Sequence, residues 1–438
     1  MKKHIRWLNN ELQSWLADGI IRPEQADTIR KRYPDDMSGL PWGAIIFSSI
    51  GGVVLGLGVI LLFAYNWDVI PRFWKLTTIF SVLIVAHSAG IFLQIRTERF
   101  KALGEALNLL GTMLFGAGIW LIAQIYHIEE HFPNAFIIWA LGALAMAWAL
   151  PSIMQGVLAA VLIAIWCGSE SVAFNNSMHV GPLIIILLLG SLAYVKRSLV
   201  LLTVLIPAFL VSLLFVQAGH YFESGLLFGT ALNVAALLVA LGILARKYGN
   251  FAESSPVFLF FGWVASIIIL YVLTFPDAAK HLLKFDCSYE KFLVGWAYWA
   301  GSAWLCLIGW GALSYMSLAR KQNMGITADD YLLPLTVILG LFYMFFKSGL
   351  DGWAISGPFN LVFLALVVAM MVRGCRHGLL QPTVVGSVLL IIYMITRYFD
   401  LFHSLLVRGL VFIVAGVVIF GQGILYSRAK SRKVEQKQ

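Results

Sequence analysis

The chain has 438 residues, of which 60% are hydrophobic and only 12% charged, with a mean hydropathy of +0.85. Ordinary soluble domains carry roughly a quarter charged residues, so this composition cannot coat a surface that faces water. The formal charge of +9 would suit nucleic acid, but most Lys and Arg lie in short connections between apolar runs, which excludes nucleic acid as a partner and implies membrane lipids instead.

Residues 1–40 are polar and hold no apolar core followed by a small-residue cleavage site. In "HIRWLNNELQSWLADGIIRPEQADTIRKRY" the residues Trp7, Leu8, Leu12 and Leu16 repeat at helical spacing, Asp18-Gly19 makes a turn, and Pro23 opens a second helix. The segment is expected to be a small cytoplasmic helical hairpin, either a docking module or an amphipathic pair lying on the membrane surface.

From residue 41 to 426 the pattern predicts an all-α, polytopic membrane bundle. Apolar runs lie near 43–65, 76–95, 103–125, 135–150, 154–168, 180–194, 199–216, 225–244, 257–274, 292–315, 331–346, 358–372, 379–396 and 409–426. They make about fourteen spans, each fit to cross a hydrocarbon layer of ~30 Å. Residues 427–438 form a basic tail. With both termini in the cytoplasm, most of the 31 Lys and Arg fall on the inner side, including Lys196-Arg197, Arg246-Lys247, Arg373 and Arg376.

Polar groups gather at a few places along these spans. The first outer loop, "FAYNWDVIPRFWK", brings Asn66, Asp68 and Arg72 between Trp67 and Trp74, two residues suited to the headgroup level. The second outer loop supplies Gln124, Tyr126, His127, Glu129, Glu130 and His131, and the last supplies Arg397, Tyr398, Asp400, His403 and Arg408. In the third span Glu105, Asn108, Thr112 and Gly116 fall within an arc of roughly 80° at about 100° per residue. A carboxylate and an amide facing lipid would cost several kcal/mol, so this stripe should face the bundle interior, unless Glu105 pairs with Lys101 at the inner interface. Together Asn66, Asp68, Arg72, Glu105, Asn108, Gln124, Tyr126, Glu130, Arg397 and Asp400 are the candidate polar vestibule and stripe. The alternative for the first loop is an interfacial turn with tryptophan anchors.

Motifs of soluble enzymes are mostly missing. There is no GxxxxGK[ST] phosphate loop and no GxSxG elbow, and the four cysteines form no CxxC pair. "HIEEH" at 127–131 matches the inverted zinc-protease pattern, but Pro133 cuts its helix short and no third ligand stands nearby, so no metal, cofactor or catalytic residue is assigned. Gly52-x-x-x-Gly56 and Gly225-x-x-x-Gly229 are spacings that let helices approach closely.

"WLADGIIRPEQADTIRKRY", "FAYNWD" and "GEALNLLGTMLFGAGIWLIAQIYHI" together resemble the bacterial predicted-membrane-protein family of domain of unknown function 2157, over about the first 150 residues. The resemblance implies a bacterial inner-membrane protein with a cytoplasmic helical hairpin. It also implies a second membrane protein, encoded nearby, that bears a glycine-aspartate-tyrosine signature absent here. The family brings no substrate and no catalytic residue. Transport or flipping of an amphiphilic or small polar solute is the leading functional expectation. The alternatives are a non-catalytic envelope-assembly scaffold or partner subunit, and a lipid-modifying enzyme at the outer leaflet.

Overall fold

The computed structural model describes residues 2–32, 70–96, 101–127, 131–218, 224–282, 289–319, 325–346 and 350–397, with a few positions between 413 and 422. The predicted span at 43–65, most of that at 409–426, most of their flanking loops, Gly52, Gly56 and the basic tail lie outside the described residues. The chain forms two compact units, Met1–Thr78 and Ile79–Gln438.

In the first unit, α1 (Lys2–Ala17) and α2 (Pro23–Arg32) are joined by a turn in which Gly19 takes φ +72°. The turn closes when the Ile20 N–H donates to the Trp15 carbonyl at 2.9 Å, a helix ending that glycine adopts without a Cβ penalty. Leu12 and Ala26 are buried. Helix α3 (Arg72–Arg96) begins in this unit, with Phe73 and Trp74 exposed and edge to face at 5.7 Å, as suits an interfacial anchor.

The second unit continues α3 and adds α4 (Lys101–Tyr126), α5 (Pro133–Ala149), α6 (Ile153–Phe174), α7 (Val180–Val195), α8 (Leu199–Ala218), α9 (Ser224–Tyr248) and α10 (Ser255–Leu273). The short α11 (Pro276–Leu282) follows, then α12 (Tyr289–Ser314), α13 (Leu332–Phe346), α14 (Gly352–His377) and α15 (Leu380–Arg397). Every span predicted between 76 and 396 has its helix. Among the described residues nine helices are long and apolar enough to cross a membrane, and three more apolar helices are shorter. The sixth predicted span is not a regular helix. Residues Ile185–Leu189 form a π-helical segment inside α7, a wider turn of a kind often found at functional places.

Local signals explain the ends. Ser152 caps α6 by accepting the Gln155 N–H, and Asn175 ends it in the left-handed region, its N–H bonded to the Glu170 carbonyl. Pro133 opens α5 at a position where its missing N–H is not needed. Gly378 closes α14 at φ +58°.

Two apolar clusters carry the packing. One joins α5, α6, α7 and α8 through Ala143, Ala147, Ala159, Ile163, Leu189 and Leu201. The other joins α9, α10, α12, α13, α14 and α15 through Ala236, Val239, Leu270, Trp310 and Phe363. Between lipid tails helices gain little from the hydrophobic effect, so association rests on close van der Waals fit and small residues. Gly262 of α10 shows the closeness: a Cβ there would stand 2.8 Å from the Val239 backbone nitrogen on α9. Helix α9 is the most deeply buried of the nine long apolar helices among the described residues. A smaller set, Leu202, Ile206, Leu213, Val234 and Leu238, links the two clusters.

Candidate functional site

Three polar groupings and an apolar cavity stand out in the second unit. The first grouping is the α4 stripe. Asn108 and Thr112 are buried, and Glu105 is partly so. Glu105 Oε1 accepts from the Ser152 hydroxyl at 2.7 Å. Gln155 Nε2 donates to the Asn108 carbonyl at 3.1 Å and to Thr112 Oγ1 at 2.9 Å. On the other side Asn108 Nδ2 donates to Gln94 Oε1 at 2.9 Å, and its Oδ1 stands 3.4 Å from His87 Nδ1. Trp139 Nε1 donates to the Thr112 carbonyl at 2.8 Å, with its ring against Gly116. The stripe is therefore spent on joining α3, α5 and α6 to α4. Gln155 Oε1 is left without a hydrogen bond.

The second grouping lies at the other end of α6. Glu170 is 2% exposed, and both its oxygens stand 2.8 Å from His131 Nε2. Trp166 Nε1 donates to Oε1 at 3.3 Å and Asn176 Nδ2 to Oε2 at 3.1 Å. The third joins α10, α14 and α15. Arg397 Nη2 donates to Thr274 Oγ1 at 2.6 Å, and the guanidinium lies 3.7 Å over the Phe275 ring. Asn360 Nδ2 donates to the Thr274 carbonyl at 2.8 Å, and the Tyr393 hydroxyl donates to Asn360 Oδ1 at 2.6 Å.

Six of the ten predicted vestibule and stripe residues are among those described. Asn66, Asp68, Glu130 and Asp400 lie outside the described residues, and Arg72 is exposed at the start of α3 in the first unit. Glu105 sits in the second turn of α4, whereas Gln124 and Tyr126 are exposed at its far end, about 30 Å away at 1.5 Å per residue. Arg397 is 1% exposed and lies among Thr274, Phe275 and Tyr393 rather than on an open outer face. A guanidinium at a helix end in lipid lowers its cost by folding back on hydroxyl and ring partners. His131, the last residue of the HIEEH match, is committed to Glu170, while His127 is exposed with φ +55°.

Glu170 is not among the predicted residues, nor are Gln155, Thr274, Asn360 and Tyr393. A fifth span ending at 168 puts Glu170 in a loop, whereas α6 runs on to Phe174. Trp166 and Glu170 stand one helical turn apart, the spacing that could have signalled an indole-to-carboxylate bond.

The cavity is of another kind. It measures about 530 Å³ and lies between α7, α8, α9, α10 and α12, at the junction of the two apolar clusters. Leu205, Phe209, Leu238, Phe258 and Leu305 contribute to its almost wholly hydrocarbon wall. Its few polar side chains are already engaged. His179 Nδ1 is 2.8 Å from the Tyr298 hydroxyl, Thr230 donates to the Leu226 carbonyl, and Ser302 donates to the Trp299 carbonyl. Burial pushes the His179 imidazole down from its ordinary value, because the charged form loses water.

Residues 13–156 match the family described as Predicted membrane protein (DUF2157). This is the family the sequence resembles, over nearly the same stretch. With its apolar helices the chain is a multi-pass membrane protein. The matched stretch holds the α4 stripe and its partners Ser152 and Gln155, while Glu170, Arg397 and the whole cavity lie beyond it. No curated protein and no solved structure matches the chain significantly.

Proposed function

We propose that this protein transports or flips an amphiphile, whose hydrophobic part lies in the cavity between α7, α8, α9, α10 and α12. The observation that carries the reading is the cavity lining. About 530 Å³ falls within the range of small-molecule sites, and the walls present hydrocarbon almost everywhere. A small polar solute would meet hydroxyls that already donate to backbone carbonyls, and would lose its water without replacement. An alkyl chain loses nothing there, so an amphiphile fits better than a small polar solute.

The same reading takes the full count as about fourteen spans in a bacterial inner membrane, with both termini cytoplasmic. The alternation of helix ends that this count requires is supported by the contacts of α4 to α6: Ser152 with Glu105 at one level, and His131 with Glu170 at the other. Asn175→Cys should then label from outside the cell and Arg197→Cys only from within.

Purified protein in liposomes tests the function. Dithionite quenching of a fluorescent lipid in the outer leaflet should reach the inner pool faster with the protein than without. Equal rates, together with no lipid retained through purification, would refute it.

A further inference from the structure

The cavity does not end at mid-bundle. A second space of about 420 Å³ shares Gly190, Leu202, Leu241 and Phe258 with it, and continues to Tyr194, Tyr248 and Gly249. Along α9 the joint lining runs from Thr230 to Tyr248, about 27 Å at 1.5 Å per residue. That is close to the ~30 Å hydrocarbon thickness of a bilayer, and about twice the depth of one leaflet. The two spaces adjoin at these shared residues, and we take them together as one trough.

Helix α7 supplies the room. Its π segment provides Ile185 and Ile186 to the wall, and Gly190 follows, where an added Cβ would find only the Ile185 carbonyl at 3.6 Å. The single Ser191 hydroxyl proton is shared between the Leu187 and Leu188 carbonyls, at 2.6 and 2.9 Å.

The two ends differ in charge. At the far end Lys196 and Arg197 follow Tyr194, and Arg246 and Lys247 precede Tyr248, all four exposed. No Lys or Arg lines either space among the described residues; the four basic residues flank this end, with the exposed Glu253 between Phe251 and Ser254. Four cations against one carboxylate at its rim favour an anion there.

We propose that the trough holds one anionic lipid with a chain longer than a leaflet, of the polyprenyl phosphate class. Its phosphate sits at the Lys196–Arg197 and Arg246–Lys247 end, and its chain runs to His179 and Tyr298. The proposal rests on the amphiphile reading above and narrows it. Two ordinary phospholipids meeting tail to tail would need a second headgroup site at the His179–Tyr298 end.

Binding to the purified full-length protein tests this, with undecaprenyl monophosphate, geranyl monophosphate and dioleoyl phosphatidylglycerol as probes. The long polyprenyl monophosphate should bind about tenfold or more tighter than geranyl monophosphate, which carries the same head. Leu241→Trp, at the junction of the two spaces, should remove that advantage and leave geranyl monophosphate binding unchanged. Gly190→Leu should do the same, and serves if the tryptophan variant fails to fold. Arg197→Gln with Arg246→Gln should weaken both phosphates alike. Equal affinity for long and short chains, or no effect of either junction variant, overturns the long-chain proposal and leaves the amphiphile reading standing. Two phosphatidylglycerols bound per protein, displacing the polyprenyl probe, overturns it in favour of paired phospholipids. Binding of none of the three probes sinks the amphiphile reading itself.

Discussion

Two seams between helices show opposite uses of space. Where α3 meets α4, a Cβ added at Gly90 would stand 2.6 Å from Asn108 Oδ1, and one added at Gly104 would stand 2.7 Å from the Gly90 carbonyl. Backbones touch there, and the buried amides and hydroxyls are nearly all bonded. Where α7 and α8 face α9 and α12, a Cβ added at Gly301 would meet nothing within 4 Å. The first seam is closed by polar side chains; the second stays open although almost every group in it is apolar. In lipid this is physically sensible. A buried amide must find a partner, and so draws helices together, whereas an alkyl wall is content with an alkyl guest. The polar residues of this bundle are its joints, and its capacity to hold something lies in the hydrocarbon.

The strongest way to break that contrast is to add volume at each seam. Gly90→Leu should cost roughly 3 kcal/mol, at the upper end of overpacking penalties, because the obstacle includes the Asn108 backbone nitrogen and cannot rotate away. Gly301→Leu should leave thermal stability equal or slightly higher, since leucine is the better helix former. The same variant should reduce lipid retention about tenfold. If Gly301→Leu destabilises as much as Gly90→Leu, the open seam is not open, and the cavity carries no functional argument.

A smaller effect is expected from the joints themselves. Asn108→Ala removes the bond to Gln94 and the contact with His87, and leaves the Gln155 amide with its backbone partner. Interhelical hydrogen bonds in membranes are worth on average about 0.6 kcal/mol and rarely above about 1.7, so a loss of about 1 kcal/mol is expected. Unfolding followed in detergent measures it. Loss of lipid retention in a folded Asn108→Ala protein would show that the stripe does more than join helices.

How much of this could be read from the chain follows from the same physics. Helices were legible because fifteen or more apolar residues in a row have few other uses. Glu105, Asn108 and Thr112 were legible as an inward stripe, because rare polar groups in an apolar span reveal which way the helix faces. Glu170 was not, since a carboxylate beyond a predicted span end looks like a loop residue until Asn175 is seen to end the helix. Arg397 was placed at a helix end, but nothing in the sequence paired it with Thr274, 123 residues earlier. The trough left no sequence trace. Its lining comes from five helices that are apolar on every face, so the sides towards lipid, neighbour and cavity look alike.

The finest test of the contrast concerns His179, which with Tyr298 is one of two ionisable groups lining the cavity of about 530 Å³. His179 is held near neutrality by burial, which disfavours its imidazolium form, and its Nδ1 is 2.8 Å from the Tyr298 hydroxyl. In the unfolded chain the imidazole takes up a proton as pH falls through its ordinary value of 6.5, while in the folded protein it resists until lower pH. Its contribution to stability is therefore fully present above that ordinary value and is lost as pH falls from there towards the depressed value. The effect should be small, because the side chain is only partly buried and water screens much of the charge. Unfolding temperatures of wild type and His179→Phe, measured from neutral to mildly acid pH, should run parallel above the ordinary value, and wild type should fall relative to the variant below it. Lipid retention by the wild type should weaken over the same window, since a charged imidazolium draws water to the end of a hydrocarbon trough. If the two proteins stay parallel across the whole range, His179 carries no such shift, and the end of the trough is no drier than the surface around it.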